Sequence, residues 1–407
     1  MKINSAIVAL AIGAFGIGVT EFSPMGILPI IAHDLGVSIP SAGLLVSAYA
    51  FGVLMWSPLM TLTTGRVPRR TLLIALMGIF TLGNALSAAA DSYTWLFLAR
   101  VLTSFTHGAF FGVGAIVAST LVAPDKRAGA VAAMFMGLTI ATVGGVPMSA
   151  WAAEQFGWRS VFWAITALGV LAMVSLRLAL PYIEGNPRGN VRAELRVLTR
   201  APVIKALAMT VIASSAMFTV FTYIAPILLE RTQASPAFVA AMLVLYGLGL
   251  TAGNWLGGHY ADRSIDGTLI ATLASTVVLL LLFAIGMQWR GSAAVLIFLW
   301  GITSFAVVAP LQTRVMTAAG EAPTLASAVN IGAFNLGNAV GAVVGGAVIR
   351  AGLGLPAVSV AGALMAVGGL LAVLAWREKP LAKLSPDECL RFPQSPPSAC
   401  ALSQKTR

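Results

Sequence analysis

GAFGIGVTEFSPMGILPI, residues 13–30, decides the fold: it lies in an apolar run that starts at Ala6 and carries one carboxylate, Glu21, in its interior. About 20 apolar residues suffice to cross the hydrocarbon of a bilayer. A charged side chain at that depth costs roughly 2.5 to 3.5 kcal/mol on insertion scales, so it calls for a water-filled cavity, a cationic partner or a proton. Pro24 and Pro29, with Gly13, Gly16, Gly18 and Gly26, are expected to loosen the helix around the acid. Such breaks survive in membranes where neighbours or cavity water satisfy the freed backbone. The segment therefore reads as the lining of a pathway.

The rest of the chain is built of similar pieces. Of 407 residues, 58% are hydrophobic and 10% charged, against about 25% charged in soluble domains. This composition describes a polytopic membrane protein. The formal net charge of +11 would suggest nucleic acid in a soluble domain, but here it is first sorted by side of the membrane. Cys389 and Cys400 both lie in the polar tail, which implies neither a disulfide framework nor a metal site. The first apolar run exceeds the roughly 7 to 15 residues of a cleaved signal's core, and a second follows directly.

Cutting where charges or Pro/Gly clusters interrupt the apolar runs gives twelve spans. They cover residues 6–30, 42–63, 71–90, 95–121, 128–150, 160–180, 203–229, 237–258, 268–287, 292–318, 326–349 and 356–376. The expected organisation is an N-terminal six-helix bundle (1–180), a cytoplasmic linker (181–202), a C-terminal six-helix bundle (203–376) and a disordered cytoplasmic tail (377–407). With the N-terminus inside, twenty Lys and Arg fall on the inner side, and only Arg159, Arg231, Arg290 and Arg350 on the outer. That asymmetry places both ends in the cytoplasm. Trp95, Trp151, Trp158 and Trp289 fall at outer helix ends and Trp376 at an inner one, as an interfacial aromatic belt predicts. WSPLMTLTTGRVPRRTLL from Trp56 has a counterpart in NWLGGHYADRSIDGTLI from Asn254. Arg66 then matches Arg263, so two related halves are expected, with any substrate site near midplane between them.

Three interior groups carry the chemistry. Glu21 is the one acid well inside a span, Arg100 the one base and His107 the one histidine. Arg100 and His107 are seven apart, which on a continuous helix puts them within about 20° of each other. In depth Glu21 falls between them. Desolvation favours the neutral acid and a nearby Arg the carboxylate, so a conformational change that alters either one changes proton occupancy. Arg100 can equally be a structural tie between helices, and His107 a packing hydrogen bonder.

Candidate cavity residues are Tyr49, Phe110, Phe111, Phe218 and Tyr223 as an aromatic wall, with Gln312, Asn330, Asn335 and Asn338 as polar groups. Phenylalanines in membrane helices are also ordinary packing. Gly137, Gly144, Gly145 and Pro147 on the fifth span, and Gly332, Gly337, Gly341, Gly345 and Gly346 on the eleventh, allow close helix approach. The sequence has no phosphate-binding loop and no nucleophile elbow, which removes ATP-driven transport and hydrolytic chemistry and leaves ion gradients as the energy source.

Twelve spans, the two-half repeat and GHYADR (258–263) together resemble the major facilitator superfamily. That resemblance implies twelve transmembrane helices in two pseudo-symmetric halves, and a charge latch formed by Asp262 and Arg263 after Gly258. TTGRVPRR in the first half keeps Arg66, Arg69 and Arg70 but has Gly65 where the acid belongs. ARVLTSFTHGAFFGVG around Arg100 is similar to a fourth-span motif associated with proton coupling in drug antiporters, and ATVGGVPMSAW loosely resembles the fifth-span antiporter motif through Gly145 and Pro147. The resemblance implies a bacterial inner-membrane efflux carrier of the drug or sugar proton-antiporter group. It would work as a monomer without cofactor, on protons and a small molecule such as a drug, sugar or nucleobase-like compound. A proton symporter or uniporter for uptake uses the same fold, and a non-transporting receptor is the third possibility.

Overall fold

The computed structural model describes residues 5–64, 66–123, 127–184, 196–261, 263–320 and 323–377. Among these, twelve helices are long and apolar enough to cross a membrane. They are α1 (Ser5–Asp34), α2 (Ile39–Thr63), α3 (Arg69–Ala88), α4 (Tyr93–Thr120), α5 (Ala130–Phe156), α6 (Trp158–Ala179), α7 (Ala201–Phe221), α8 (Pro236–Ala261), α9 (Ile265–Gly286), α10 (Arg290–Ala319), α11 (Leu325–Arg350) and α12 (Leu355–Trp376). The expected count and order hold. Residues 185–195 of the linker and 378–407 of the tail, with both cysteines, lie outside the described residues, as do Gly65 and Asp262.

Side-chain chemistry sets the helix starts. Ser38, Ser92 and Ser264 each cap a helix by accepting from the backbone N–H three residues on, at 3.2, 3.4 and 3.0 Å. Gly157, at φ 80°, makes the reversal between α5 and α6, a conformation that only glycine adopts without strain.

α1 is buried all round from Gly16 to Leu28, and it packs against each of α2 to α6 as well as α8. A helix apolar on every face belongs in the centre of its bundle. Contrary to expectation, Pro24 and Pro29 do not break it: α1 is one continuous helix. Proline removes its own N–H, so the carbonyls of Thr20 and Met25 lose their intrahelical donors while the axis continues. The irregular turns lie elsewhere. α5 opens into a wide π-type turn at Ala141–Gly145, just before Pro147. α4 is interrupted between Ser104 and His107, where Phe105 and Thr106 bond back only three residues, to Leu102 and Thr103 at 3.3 and 3.4 Å.

We call the side where α1 starts and α12 ends the terminal face, and the opposite side the far face. The first six helices meet the last six through α2 against α11 and α5 against α8. The α5–α8 contact runs along the wide turn and the Val146–Phe156 segment; the Arg127–Ile140 segment makes no contact of comparable extent with α8 among the described residues. Tyr223, just past α7, is wedged at the far-face end of the seam. Its hydroxyl donates to the Ala342 carbonyl at 2.8 Å and lies against Gly43 of α2 and Gly346 of α11.

Trp95, Trp151 and Trp289 are 47, 53 and 58% exposed, as a belt requires. Trp158 differs: it is 1% exposed. Its indole donates to Asp34 at 3.0 Å, the Arg159 guanidinium stacks over its ring at 4.3 Å, and Arg159 pairs with the same carboxylate at 2.6 Å. A helix-end tryptophan beside an arginine found an acid from α1 and became a clasp instead of a lipid anchor. Trp158→Phe keeps the packing and removes the donor; a loss of about 1 kcal/mol is expected, read as a melting temperature a few degrees lower in detergent with transport unchanged.

Candidate functional site

Glu21, on the most buried stretch of α1, is 7% exposed, and Arg100 and His107 on α4 are 1 and 4% exposed. The structure brings the acid and the histidine together: His107 Nδ1 lies 3.9 Å from Glu21 Oε2. The same nitrogen is 3.1 Å from the Tyr49 hydroxyl of α2. One ring nitrogen thus faces two oxygens. Unprotonated, it accepts from Tyr49; protonated, it is a donor that Glu21 can receive. Phe111, its ring 5.1 Å from the imidazole and stacked on Phe135 at 5.0 Å, closes the apolar side.

Arg100 is not bonded to Glu21. Its Nη1 donates to the Thr20 hydroxyl at 3.1 Å, that hydroxyl donates to Asn84 Oδ1 at 2.7 Å, and Asn84 Nδ2 donates to the Phe80 carbonyl at 2.9 Å. The guanidinium also lies over the Tyr49 ring at 4.3 Å, a cation–π contact. Nε and Nη2 of Arg100 have no hydrogen-bond partner among the described residues. A buried guanidinium with two unused donors beside a carboxylate and a phenol is a site prepared for water or a polar ligand group. Arg100 and His107 sit on either side of the short interruption in α4, and Tyr49 touches both, its ring under the guanidinium and its hydroxyl on the imidazole.

Thr20 and Asn84 are functional candidates that sequence reading missed. Thr20 carries one weak signal, adjacency to Glu21. Asn84 carries only its polarity within an apolar span.

The other candidates scatter. Phe110 packs its ring on Gly13 between α1 and α4. Phe218 stacks on Phe22 of α1 at 6.3 Å, placing it where the first six helices meet the last six. Tyr223 sits at the far-face wedge. Gln312 of α10 donates to Ser327 and accepts from Asn330 of α11 at 2.7 Å. Asn335 and Asn338 are buried on α11, each with an Oδ1 that lacks a partner. Gly145 lies on Val19 and Phe15 of α1 and ends the wide turn, with Pro147 in the first turn of the helical segment that follows. Near the terminal face Arg70 donates to the Leu180 carbonyl at 3.3 Å, Arg69 is buried and Arg66 exposed. Gly258 has open space around it, and Arg263 lies 5.6 Å over the Tyr260 ring. The expected latch cannot be placed, since Asp262 lies outside the described residues. A close ion pair joins Asp266 of α9 to Arg314 of α10, whose Nη2 also donates to the Trp376 carbonyl at 3.2 Å.

Twelve membrane-spanning helices, with the carboxylate and the cation buried between them instead of exposed at a surface, define a polytopic carrier. Residues 10–333 match the Major Facilitator Superfamily, and the chain belongs to that family. It is 55% identical over 373 residues to the inner membrane transport protein YdhP of Escherichia coli (strain K12), covering 92% of this chain and 96% of that one. It is 32% identical over 343 residues to the chloramphenicol resistance protein of Streptomyces lividans, covering 82% and 86%. The crystal structure of a bacterial homologue of the human lysosomal transporter Spinster, inward-facing and unoccupied, superposes with a TM-score of 0.68 at 16% identity over 92% of this chain and 96% of that one. The protein is a transporter and not an enzyme.

Proposed function

We propose that this chain exports a small organic compound across the bacterial inner membrane in exchange for protons, with both ends in the cytoplasm. The observation that carries the reading is the Glu21 carboxylate, buried 3.9 Å from His107 Nδ1 and without a guanidinium bonded to it. A protonated acid needs no compensation there; an ionised one needs a charge from His107 or Arg100. A rearrangement at the seam that moves α1 against α4 changes that compensation, which is the link between proton occupancy and conformation. The Arg100 donors and the seam next to Phe22 and Phe218 are where the transported molecule is expected to compete for the same charge. The chloramphenicol resistance relative and the inner-membrane name of YdhP support the export direction and the membrane.

Proteoliposomes with an imposed pH gradient test this, with chloramphenicol and a panel of pentoses and nucleobases as probes. The reading expects substrate movement opposite to the proton gradient, collapsing when a protonophore is added. Movement in the same direction as protons gives the uptake reading instead, and flux indifferent to the gradient removes proton coupling.

A further inference from the structure

On the terminal face of the last six helices lies a cavity of about 590 Å³ formed where α7, α9, α10 and α12 meet. It takes no part in the Glu21 site. Its charged lining is Lys205, Arg314, Arg377 and one acid, Asp266. Arg314 is committed to Asp266 and to the Trp376 carbonyl. Lys205 and Arg377 are exposed and form no ion pair among the described residues, so within the described lining three cations face one acid. Two helix starts open onto it as well, Ala201 of α7 and Ile265 of α9, and the positive ends of their dipoles add to that field. Apart from Ser264 and Thr317 the remaining lining is apolar, and it includes Met209 and Trp376. Cations, helix starts, a tryptophan and an apolar wall at the level of a membrane surface match a group that is anionic at one end and oily at the other.

We propose that this cavity binds a glycerol phosphate group, presented by an anionic phospholipid. Lys205 and Arg377 hold the phosphate, and the Trp376 and Met209 wall takes the glycerol and first acyl carbons. The Arg314–Asp266 pair fixes the cavity shape by tying α9 to α10.

The full chain, purified and placed in nanodiscs or detergent, tests the assignment by native mass spectrometry and thermal shift. The probes are phosphatidylglycerol, phosphatidylethanolamine and soluble glycerol 3-phosphate. Phosphatidylglycerol is expected to stay bound and to stabilise. Lys205→Gln with Arg377→Gln is expected to weaken it about thirtyfold, roughly fivefold for each cation. Both side chains are exposed, so the folded yield is expected to hold, and Arg177→Gln on α6 serves as the matched charge-loss control. Retention of phosphatidylglycerol with no response to glycerol 3-phosphate identifies the lipid as the source; an equal response identifies a soluble phosphate ester. Equal retention of phosphatidylethanolamine, or a double variant that binds like the Arg177→Gln control, overturns the proposal.

Discussion

Glu21→Gln is expected to abolish gradient-driven transport, lowering accumulation by about a hundredfold, the low end of what removing a positioned proton-transfer group costs. The amide has the shape of the acid and needs no charge compensation at a 7% exposed position, so folded yield and melting temperature are expected to be kept or slightly raised. Exchange of labelled for unlabelled substrate, which needs no net proton movement, is expected to persist. The dependence of substrate binding on pH is expected to flatten in the variant, because the group whose charge the substrate competes for is gone. Transport by Glu21→Gln that still follows an imposed pH gradient would sink the assignment of the acid as proton carrier.

The second large effect is expected at Gly247 of α8. A Cβ there would meet the Thr142 carbonyl oxygen at 2.7 Å and the Val143 Cα at 2.8 Å, both backbone atoms of the wide turn in α5. Backbone cannot step aside as a side chain can, so the two helices must part. Gly247→Leu is therefore expected to pry α5 from α8 and hold the seam open on the far face. Transport is expected to fall more than tenfold, while the chain remains folded because each half keeps its own packing. Cysteine labelling at far-face positions along the seam reads the opening directly. Gly291→Ala at the start of α10, where a Cβ meets nothing within 4 Å, is the control and is expected to transport within twofold of the parent. Unchanged labelling in Gly247→Leu with normal transport would show that this contact does not govern the seam.

Much of the fold was legible because hydrophobicity and length alone specify a membrane helix, and twelve runs needed no knowledge of neighbours. Glu21, Arg100 and His107 were legible for the same reason reversed: each is costly where it stands, which marks it on an apolar background. What the sequence hid are relations between helices. Tyr49 was visible as an aromatic, yet nothing in the chain says that its hydroxyl meets His107 and its ring meets Arg100. Thr20 and Asn84 are neutral and cheap, so the route from Arg100 to Phe80 leaves no mark. Asp266 and Arg314 sit near helix ends and pass for loop charges until the fold presses them together. Proline misled in the other direction: α1 absorbs Pro24 and Pro29 without bending apart, while α4 is interrupted in TSFT, which holds neither proline nor glycine.

That interruption reaches beyond local geometry. Arg100 lies before this interruption and His107 after it, with Phe105 and Thr106 between them. A twist at these two residues is expected to swing the imidazole toward or away from the acid while the guanidinium stays bonded to Thr20 of α1. On the proposed exchange mechanism the fourth helix is expected to work as an articulated arm, with the guanidinium as its pivot and the imidazole as its moving contact.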